Sequence, residues 1–324
     1  MPKAIRIHAP GGPEVMRLED VEVPRPGPGE VLLRHTVIGV NYIDVYHRSG
    51  AYPLPAMPVT IGMEGAGVIE AVGETVSDLS PGDRVGYACA PVGAYATHRV
   101  APAAQMVRLP DSISDETAAS IMLKGMTAQY LLHDTAPVRS GDHVLVHAAA
   151  GGVGLLLCQW AKHLGCTVIG TVGTEDKARL AAEHGCDHPI VSRGDAFVPR
   201  VKEITGGRGC RVIYDGVGLD TFAASLGALA LCGCLVSYGQ ASGPIEPVAP
   251  ATLSAKSASL SRPVLFHYTA GRPDLLRIAG ALFDAVSAGV LRVAPPARYP
   301  LAEAARAHQD LEGRRTTGSL VLLP

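Results

Sequence analysis

The sequence predicts an α/β protein in which a doubly wound parallel sheet is joined to a small β-barrel. Three observations predict it. One is a strand, glycine turn, helix and strand in succession between His143 and Lys177. Another is the alternation of strands and helices that continues from there to Tyr238. The last is a run of short strands, punctuated by Gly and Pro, across the first 120 residues.

The unit at His143 opens with Val144, Leu145 and Val146, an apolar run suited to a strand buried on both faces. Ala149-Ala-Gly-Gly-Val-Gly154 follows. Gly151, Gly152 and Gly154 allow a tight turn with no Cβ to hold a ligand off the backbone. The helix from Leu155 to Leu164 then points its N–H groups and positive dipole end at the turn, where a pyrophosphate fits. Gly165 suits the residue after that helix, and Cys166 to Val172 is the next strand. Ala149 stands where the usual G-x-G-x-x-G has its first glycine. Taken alone, the run reads equally as an ordinary glycine-rich turn. Its place after a strand and before a helix, in a unit of about 30 residues, is what marks dinucleotide binding.

The other elements follow in order. Ala4 to His8 is a candidate strand; the start, Met1-Pro-Lys-Ala-Ile-Arg6, carries no signal-peptide pattern. Pro24 to Gly29 is a loop into a strand from Glu30 to Ile38. Asn41 to Arg48 is a short helical piece, and strands are expected at Gly62–Val72, Val85–Tyr87 and Gly93–Val100. Ser114 is a good N-cap for a helix to Leu123, with a second helix from Thr127 to His133. Beyond Lys177 come helices at Glu175–His184, Ala196–Ile204 and Asp220–Leu229, alternating with strands at Pro189–Val191, Cys210–Asp215 and Cys234–Tyr238. Amphipathic helices at Pro273–Ala288 and Tyr299–Leu311 precede a last strand, Gly318–Leu323. The tail is expected to rejoin the N-terminal domain. That gives a discontinuous domain of residues 1–123 and 265–324, and a dinucleotide-binding domain of 124–264, with the cofactor in the cleft between them.

Composition narrows the function. At 324 residues the chain suits two domains. A net charge of −2 offers no bulk attraction for nucleic acid or anionic membranes. The longest apolar run, Val144 to Ala161, is broken by His147, paired glycines and Gln159, which argues against a membrane span. The seven cysteines are scattered and read as small buried hydrophobes in a reducing cytoplasm.

These residues resemble a known family. His147-Ala-Ala-Ala-Gly-Gly-Val-Gly154, Cys158-Gln-Trp-Ala-Lys162, Gly170-Thr-Val-Gly-Thr174 with Lys177, and Val212-Ile-Tyr-Asp215 look like the zinc-free quinone oxidoreductases, ζ-crystallin-like members of the medium-chain dehydrogenase/reductase superfamily. Gly11-Gly-Pro-Glu-Val15, Gly39-Val-Asn-Tyr-Ile-Asp44, Arg48-Ser-Gly-Ala-Tyr52 and Arg314-Arg-Thr-Thr-Gly318 fit as well. The resemblance covers the chain from end to end. It implies a GroES-like barrel, a Rossmann domain, a homodimer, NADPH as cofactor and a small-molecule quinone as substrate.

Zinc dehydrogenases of that superfamily hold their metal with Cys and His. Here Asn41 and Met63 stand at those positions, and amide and thioether groups are poor zinc ligands. No metal is expected, and an electron-poor quinone needs less help than an alcohol does. Gly173 and Thr174, at the end of the second strand, leave room for a 2′-phosphate, with Lys177 one helical turn on to meet its charge. Alternatively Lys177 is only a solvated helix residue and Glu175 serves an NAD ribose. The resemblance favours NADPH. It also places Asn41, Tyr46, Thr127, Ala150, Gly151, Gly152, Val153, Arg193, Tyr238 and Arg314 around the cofactor, with Tyr52 facing the substrate. Ser192 departs from a family that often has tyrosine there. Tyr46 and Tyr52 either donate hydrogen bonds to quinone oxygens or simply wall the ring, since a phenol is a reluctant acid. Lys124, His47 and His147 read as structural. Whether electrons move singly or as hydride stays open. The runner-up activity is reduction of activated alkenes. A non-enzymatic alternative, RNA binding or a crystallin-like structural role, lacks a basic, aromatic stripe.

Overall fold

The computed structural model describes every residue except Cys89 and Arg193. It divides into two compact units. Unit 1 comprises Met1–Leu123, Thr269–Ser287 and Val293–Pro324; unit 2 comprises Lys124–Tyr268 and Ala288–Arg292.

In unit 1 the strands are β1 (Lys3–Ile7), β2 (Arg17–Asp20), β3 (Glu30–Val40), β4 (Val59–Thr60), β5 (Glu64–Val72), β6 (Arg84–Ala88), β7 (His98–Pro102) and β8 (Val107–Arg108), with helix α1 (Tyr42–Ser49) after β3. Helix α2 (Asp115–Tyr130) leads into unit 2. There, strands β9 (His143–Val146), β10 (Thr167–Val172), β11 (His188–Val191), β12 (Cys210–Asp215), β13 (Leu229–Ser237) and β14 (Ser259–Ser261) alternate with helices α3 (Gly152–His163), α4 (Glu175–Glu183), α5 (Phe197–Ile204) and α6 (Phe222–Ala228), and short α7 (Ala251–Ser254) and α8 (Leu265–Tyr268) flank β14. The tail returns to unit 1 with α9 (Arg272–Ser287), β15 (Ala297–Pro300), α10 (Ala304–Glu312) and β16 (Leu320–Leu323).

Unit 2 holds the predicted parallel sheet, in the order β11-β10-β9-β12-β13-β14. The strand order reverses beside β9, which makes the C-terminal ends of β9 and β12 the expected ligand edge. Its core joins Leu145, Ile169, Ile213 and Leu235 from the strands to Phe197, Val201 and Phe222 from the helices. In unit 1 the long β3 pairs with β5, β7 and β16, and β5 passes the ladder on to β6. A smaller sheet has the order β2-β1-β4, and an isolated antiparallel bridge joins Ala4 of β1 to Ala96, two residues before β7. No helix among the described residues is long and apolar enough to cross a membrane.

Four expectations need correction. The two helices expected at 114–123 and 127–133 are one: α2 runs unbroken through Gly125 and ends in a π-helical turn, Leu131–Thr135. A buried helix keeps its backbone bonds past one glycine, whose cost of about 1 kcal/mol packing outweighs. Tyr299 is not helical, since it pairs with Leu322 in β15–β16 and the helix begins at Ala304. Unit 2 extends past residue 264 because Tyr268 stacks on Tyr130, their ring centroids 4.4 Å apart. Cys232 is exposed rather than buried, while Cys158, Cys166, Cys186, Cys210 and Cys234 are buried as read.

A chain of buried polar groups ties unit 1 together. The Arg48 guanidinium grips Glu312 with bonds of 2.8 and 2.9 Å and reaches His308 Nδ1 at 3.1 Å. A guanidinium only donates, so Nδ1 accepts and the ring proton sits on Nε2, 2.9 Å from the Tyr95 hydroxyl. Tyr95 in turn donates to Asp44 at 3.0 Å. His35, equally buried, faces the Ala96 carbonyl at 2.7 Å and the Tyr87 hydroxyl at 2.6 Å. Burial, with Arg99 beside His35 and Arg48 beside His308, pushes both imidazoles down from 6.5 to about 3. Both are therefore neutral in the fold but take a proton below about 6.5 once unfolded. Stability is full above that pH and falls as pH drops toward 3, by about 1.4 kcal/mol per pH unit for each histidine. Urea unfolding between pH 8 and pH 5 is expected to show this decline, and His308→Gln to flatten its slope by about one proton.

Candidate active site

The glycine turn of unit 2 is built where β9 ends. His147 extends the strand, its N–H 3.0 Å from the Tyr214 carbonyl. Ala148 then turns the chain with φ +53°. That left-handed conformation costs an alanine roughly 1–2 kcal/mol. Ala149 gives its N–H to the Thr171 carbonyl of β10 at 3.0 Å, and Gly151 gives its own to the Ala148 carbonyl at 2.8 Å. Helix α3 is seated on this turn so closely that a Cβ at Gly154 would lie 2.3 Å from the Ala148 carbonyl oxygen and 2.9 Å from the Ala149 backbone. No other residue fits there. At the far end of α3, Gly165 takes the expected left-handed conformation, φ +83°.

Gly151 is the N-cap of α3, and among the described residues no side chain bonds the N–H groups of the first turn. Ala150 is buried, while Gly151, Gly152 and Val153 are half-buried. The unpaired N–H groups and the positive end of the helix dipole are thus left for a ligand. The arrangement fits a dinucleotide pyrophosphate.

Beyond β10, Gly173 and Thr174 are both exposed, and a Cβ on Gly173 would meet nothing within 4 Å. Thr174 caps α4, its hydroxyl oxygen accepting the Lys177 N–H at 3.3 Å. This fixes Lys177, half-buried, in the first turn beside exposed Glu175 and Asp176. Ser192 anchors to β10 through its N–H and the Val172 carbonyl, 3.0 Å away. Its buried hydroxyl has no hydrogen-bond partner among the described residues. Arg193 lies outside the described residues. The Tyr238 ring lies over Gly216, where a Cβ would be 2.9 Å from the phenol oxygen. Thr127 is buried in α2.

Sequence reasoning missed Asp215. Fully buried at the end of β12, it accepts from the N–H groups of Val217 and Gly218 and from the Thr221 hydroxyl. It shapes the turn at the ligand edge. The signal was an aspartate followed by Gly216-Val-Gly218, a pattern that favours side-chain-to-backbone turns.

Unit 1 carries Asn41, Tyr46, Tyr52 and Arg314. Asn41 starts α1, with its N–H 2.9 Å from the Asp44 carboxylate. Its side-chain nitrogen donates to Glu64 at 2.7 Å, and the other Glu64 oxygen accepts the Leu123 N–H at 2.7 Å. A carboxylate accepts only, so it fixes the amide with its oxygen turned the other way, as an acceptor. Glu64 is thus a positioning residue that the sequence reading passed over. Tyr46, in α1, packs on Tyr52 with ring centroids 4.9 Å apart, and the Tyr52 N–H bonds the Tyr46 carbonyl at 3.0 Å. Tyr42 closes on Tyr46 from the other side, at 5.3 Å. Arg314 is exposed in the turn after α10, with φ +55°. Met63, which the sequence resemblance sets against the zinc dehydrogenases' histidine, is buried at 2% exposure. Among the described residues no group of three or more His, Cys, Asp or Glu side chains is placed to hold a metal.

An α/β dehydrogenase scaffold is what these features define. Residues 152–278 match the zinc-binding dehydrogenase family, and residues 27–111 match the alcohol dehydrogenase GroES-like domain. Over its full length the chain is 49% identical to a quinone oxidoreductase of Pseudomonas aeruginosa, covering 100% of both. It is 46% identical to a 2-haloacrylate reductase of a Burkholderia species, covering 100% of this chain and 99% of that one. The crystal structure of Escherichia coli quinone oxidoreductase complexed with NADPH matches with a TM-score of 0.96 at 42% identity, covering 99% of this chain and 100% of that one. The chain belongs to the quinone oxidoreductases of the medium-chain dehydrogenase/reductase superfamily.

The Gly154 contact gives a direct test. Gly154→Ala is expected to push α3 off the turn, lowering stability by about 1–3 kcal/mol in thermal or urea unfolding. Gly173→Ala, in open space, is expected to leave stability within about 0.5 kcal/mol of the parent.

Proposed function

We propose that this protein reduces quinones with NADPH and without a catalytic metal. The observation that carries the reading is the uncapped, glycine-lined start of α3, in a chain that matches a quinone oxidoreductase end to end. When bound, NADPH supplies the reducing equivalents, as hydride or as electrons. The rest is positioning. Gly151, Gly152 and Val153 offer N–H groups to the pyrophosphate, with Ala150 beneath them. Gly173 and Thr174 leave space for the 2′-phosphate, and Lys177, Arg193 and Arg314 balance its charge. Thr127, Tyr238 and Asn41 border the cofactor, Asn41 with its acceptor oxygen set by Glu64. Tyr46 and Tyr52 wall the quinone, a role that their mutual packing supports. The donor chemistry of Asn41 and Met63 supports a site without zinc. Unit 1 is the catalytic domain and unit 2 the dinucleotide-binding domain of a cytoplasmic homodimer. The short edge strand β14, with Leu260 and neighbouring Val264 exposed, is consistent with pairing to a second copy.

Activated alkenes form a second substrate class, supported by the likeness to 2-haloacrylate reductase. A panel separates the two. NADPH oxidation is expected to be rapid with 1,4-benzoquinone, slower with NADH in its place, and indifferent to chelator. Turnover of an enone or 2-haloacrylate without turnover of quinone overturns the quinone reading. Lys177→Ala is expected to raise KM for NADPH about tenfold, as loss of one charge-assisted hydrogen bond would, and to leave KM for NADH nearly unchanged. Equal effects on both cofactors overturn the assignment of Lys177.

A further inference from the structure

His147 precedes the glycine turn and is completely buried. Its Nδ1 lies 2.8 Å from the Thr171 hydroxyl of β10, and its Nε2 lies 2.8 Å from the Ser225 hydroxyl of α6. Phe197 packs edge-on against the ring at 4.9 Å. Proton accounting fixes the tautomer. The Ser225 hydroxyl already donates to the Thr221 carbonyl at 2.7 Å, so it accepts from Nε2–H, and Nδ1 accepts from Thr171. Ser225 belongs to a longer chain, because the Thr221 hydroxyl bonds Asp215 at 2.8 and 2.9 Å.

Two of the ties around the glycine turn meet at this ring. The next residue is Ala148, held at φ +53°. The residue after that hangs on the carbonyl of Thr171, whose hydroxyl holds His147. An alanine keeps a left-handed conformation only where its surroundings over-determine it. Here they consist of the two bonds to His147, the Ala149 tie to β10, and the seat of Gly154 on the Ala148 carbonyl.

We propose that His147 is a positioning residue for cofactor binding, which locks the strained Ala148 turn through Thr171 and Ser225 and so aims the α3 N–H groups at the pyrophosphate. The proposal rests on the reading that this turn holds NADPH. It separates two roles on one loop: the glycines make room, and the buried imidazole maintains the geometry.

The test uses the full chain. NADPH dissociation constants are measured by fluorescence titration, alongside thermal melts, for the parent, Thr171→Val, His147→Gln, Ala148→Gly and the Thr171→Val/Ala148→Gly double variant. Thr171→Val is isosteric and keeps the backbone tie to Ala149. It is expected to weaken NADPH binding fivefold or more while kcat at saturating NADPH stays within twofold. His147→Gln keeps a partner for Ser225 alone and is expected to weaken binding at least as much. A glycine adopts the turn without strain, so Ala148→Gly is expected to erase most of the loss, the double variant binding within twofold of Ala148→Gly alone. That non-additivity is the signature of positioning, which a merely structural histidine does not produce. Parent-like NADPH affinity in Thr171→Val overturns the proposal, whatever its melting temperature, and so do additive losses in the double variant. A parent protein that binds no NADPH instead overturns the cofactor reading beneath it.

Discussion

The contact between Gly154 and the Ala148 carbonyl sets the geometry of the dinucleotide-binding unit. With no side chain at Gly154, α3 descends onto the turn leaving β9, closer than any Cβ would permit. This seats the helix against the parallel sheet and brings its first-turn N–H groups to the ligand edge. Among the described residues no capping side chain sits on those groups. An uncapped N-terminus forgoes about 1 kcal/mol of helix stability, and a left-handed Ala148 adds a cost of similar size. Both are local costs at the point where the proposed pyrophosphate site lies. In the function proposed above, the four-residue segment from Gly151 to Gly154 is a preformed anion cradle, held through His147 and Thr171.

Unit 1 solves a different problem. The sequence resemblance sets Asn41 and Met63 where related dehydrogenases hold zinc. The buried Glu64 remains, bridging the Asn41 amide and the Leu123 N–H. A buried carboxylate is costly unless its lone pairs are met, and here each oxygen has a strong donor. The result is an amide oriented by a buried carboxylate. Nearby, Arg48, Glu312, His308, Tyr95 and Asp44 form a continuous polar chain from the C-terminal helix to the start of α1. Tyr46 is thereby presented from a helix whose start and end are both anchored, and Tyr52 packs on it from the loop that follows.

What the sequence made legible was local. The glycine turn, its strand and its helix read correctly because the relevant residues are adjacent, and glycine answers a steric demand that no other residue meets. The alternation after Lys177 read correctly because each buried strand has its own apolar run. Misreadings came where distant partners decide. Leu301 to Leu311 has helical periodicity, and the pattern drew Tyr299 into the helix although Leu322 pairs it into a strand. The two-residue strands β4 and β8 carry no periodic signal and exist only through their partners β1 and β6. His147 read as structural because its partners lie 24 and 78 residues away. Glu64 was hidden in the same way, visible only as a neighbour of the methionine that replaces a zinc ligand.

The most direct measurement is amide hydrogen exchange across the whole chain, with and without saturating NADPH. The account predicts that exchange slows at Gly151 to Leu155 and at Gly173 to Lys177, where N–H groups and side chains receive the two ends of the phosphate-bearing cofactor. Unchanged exchange at Gly151 to Leu155 in protein shown to have bound NADPH would contradict it, because the uncapped start of α3 would then not be where the pyrophosphate sits.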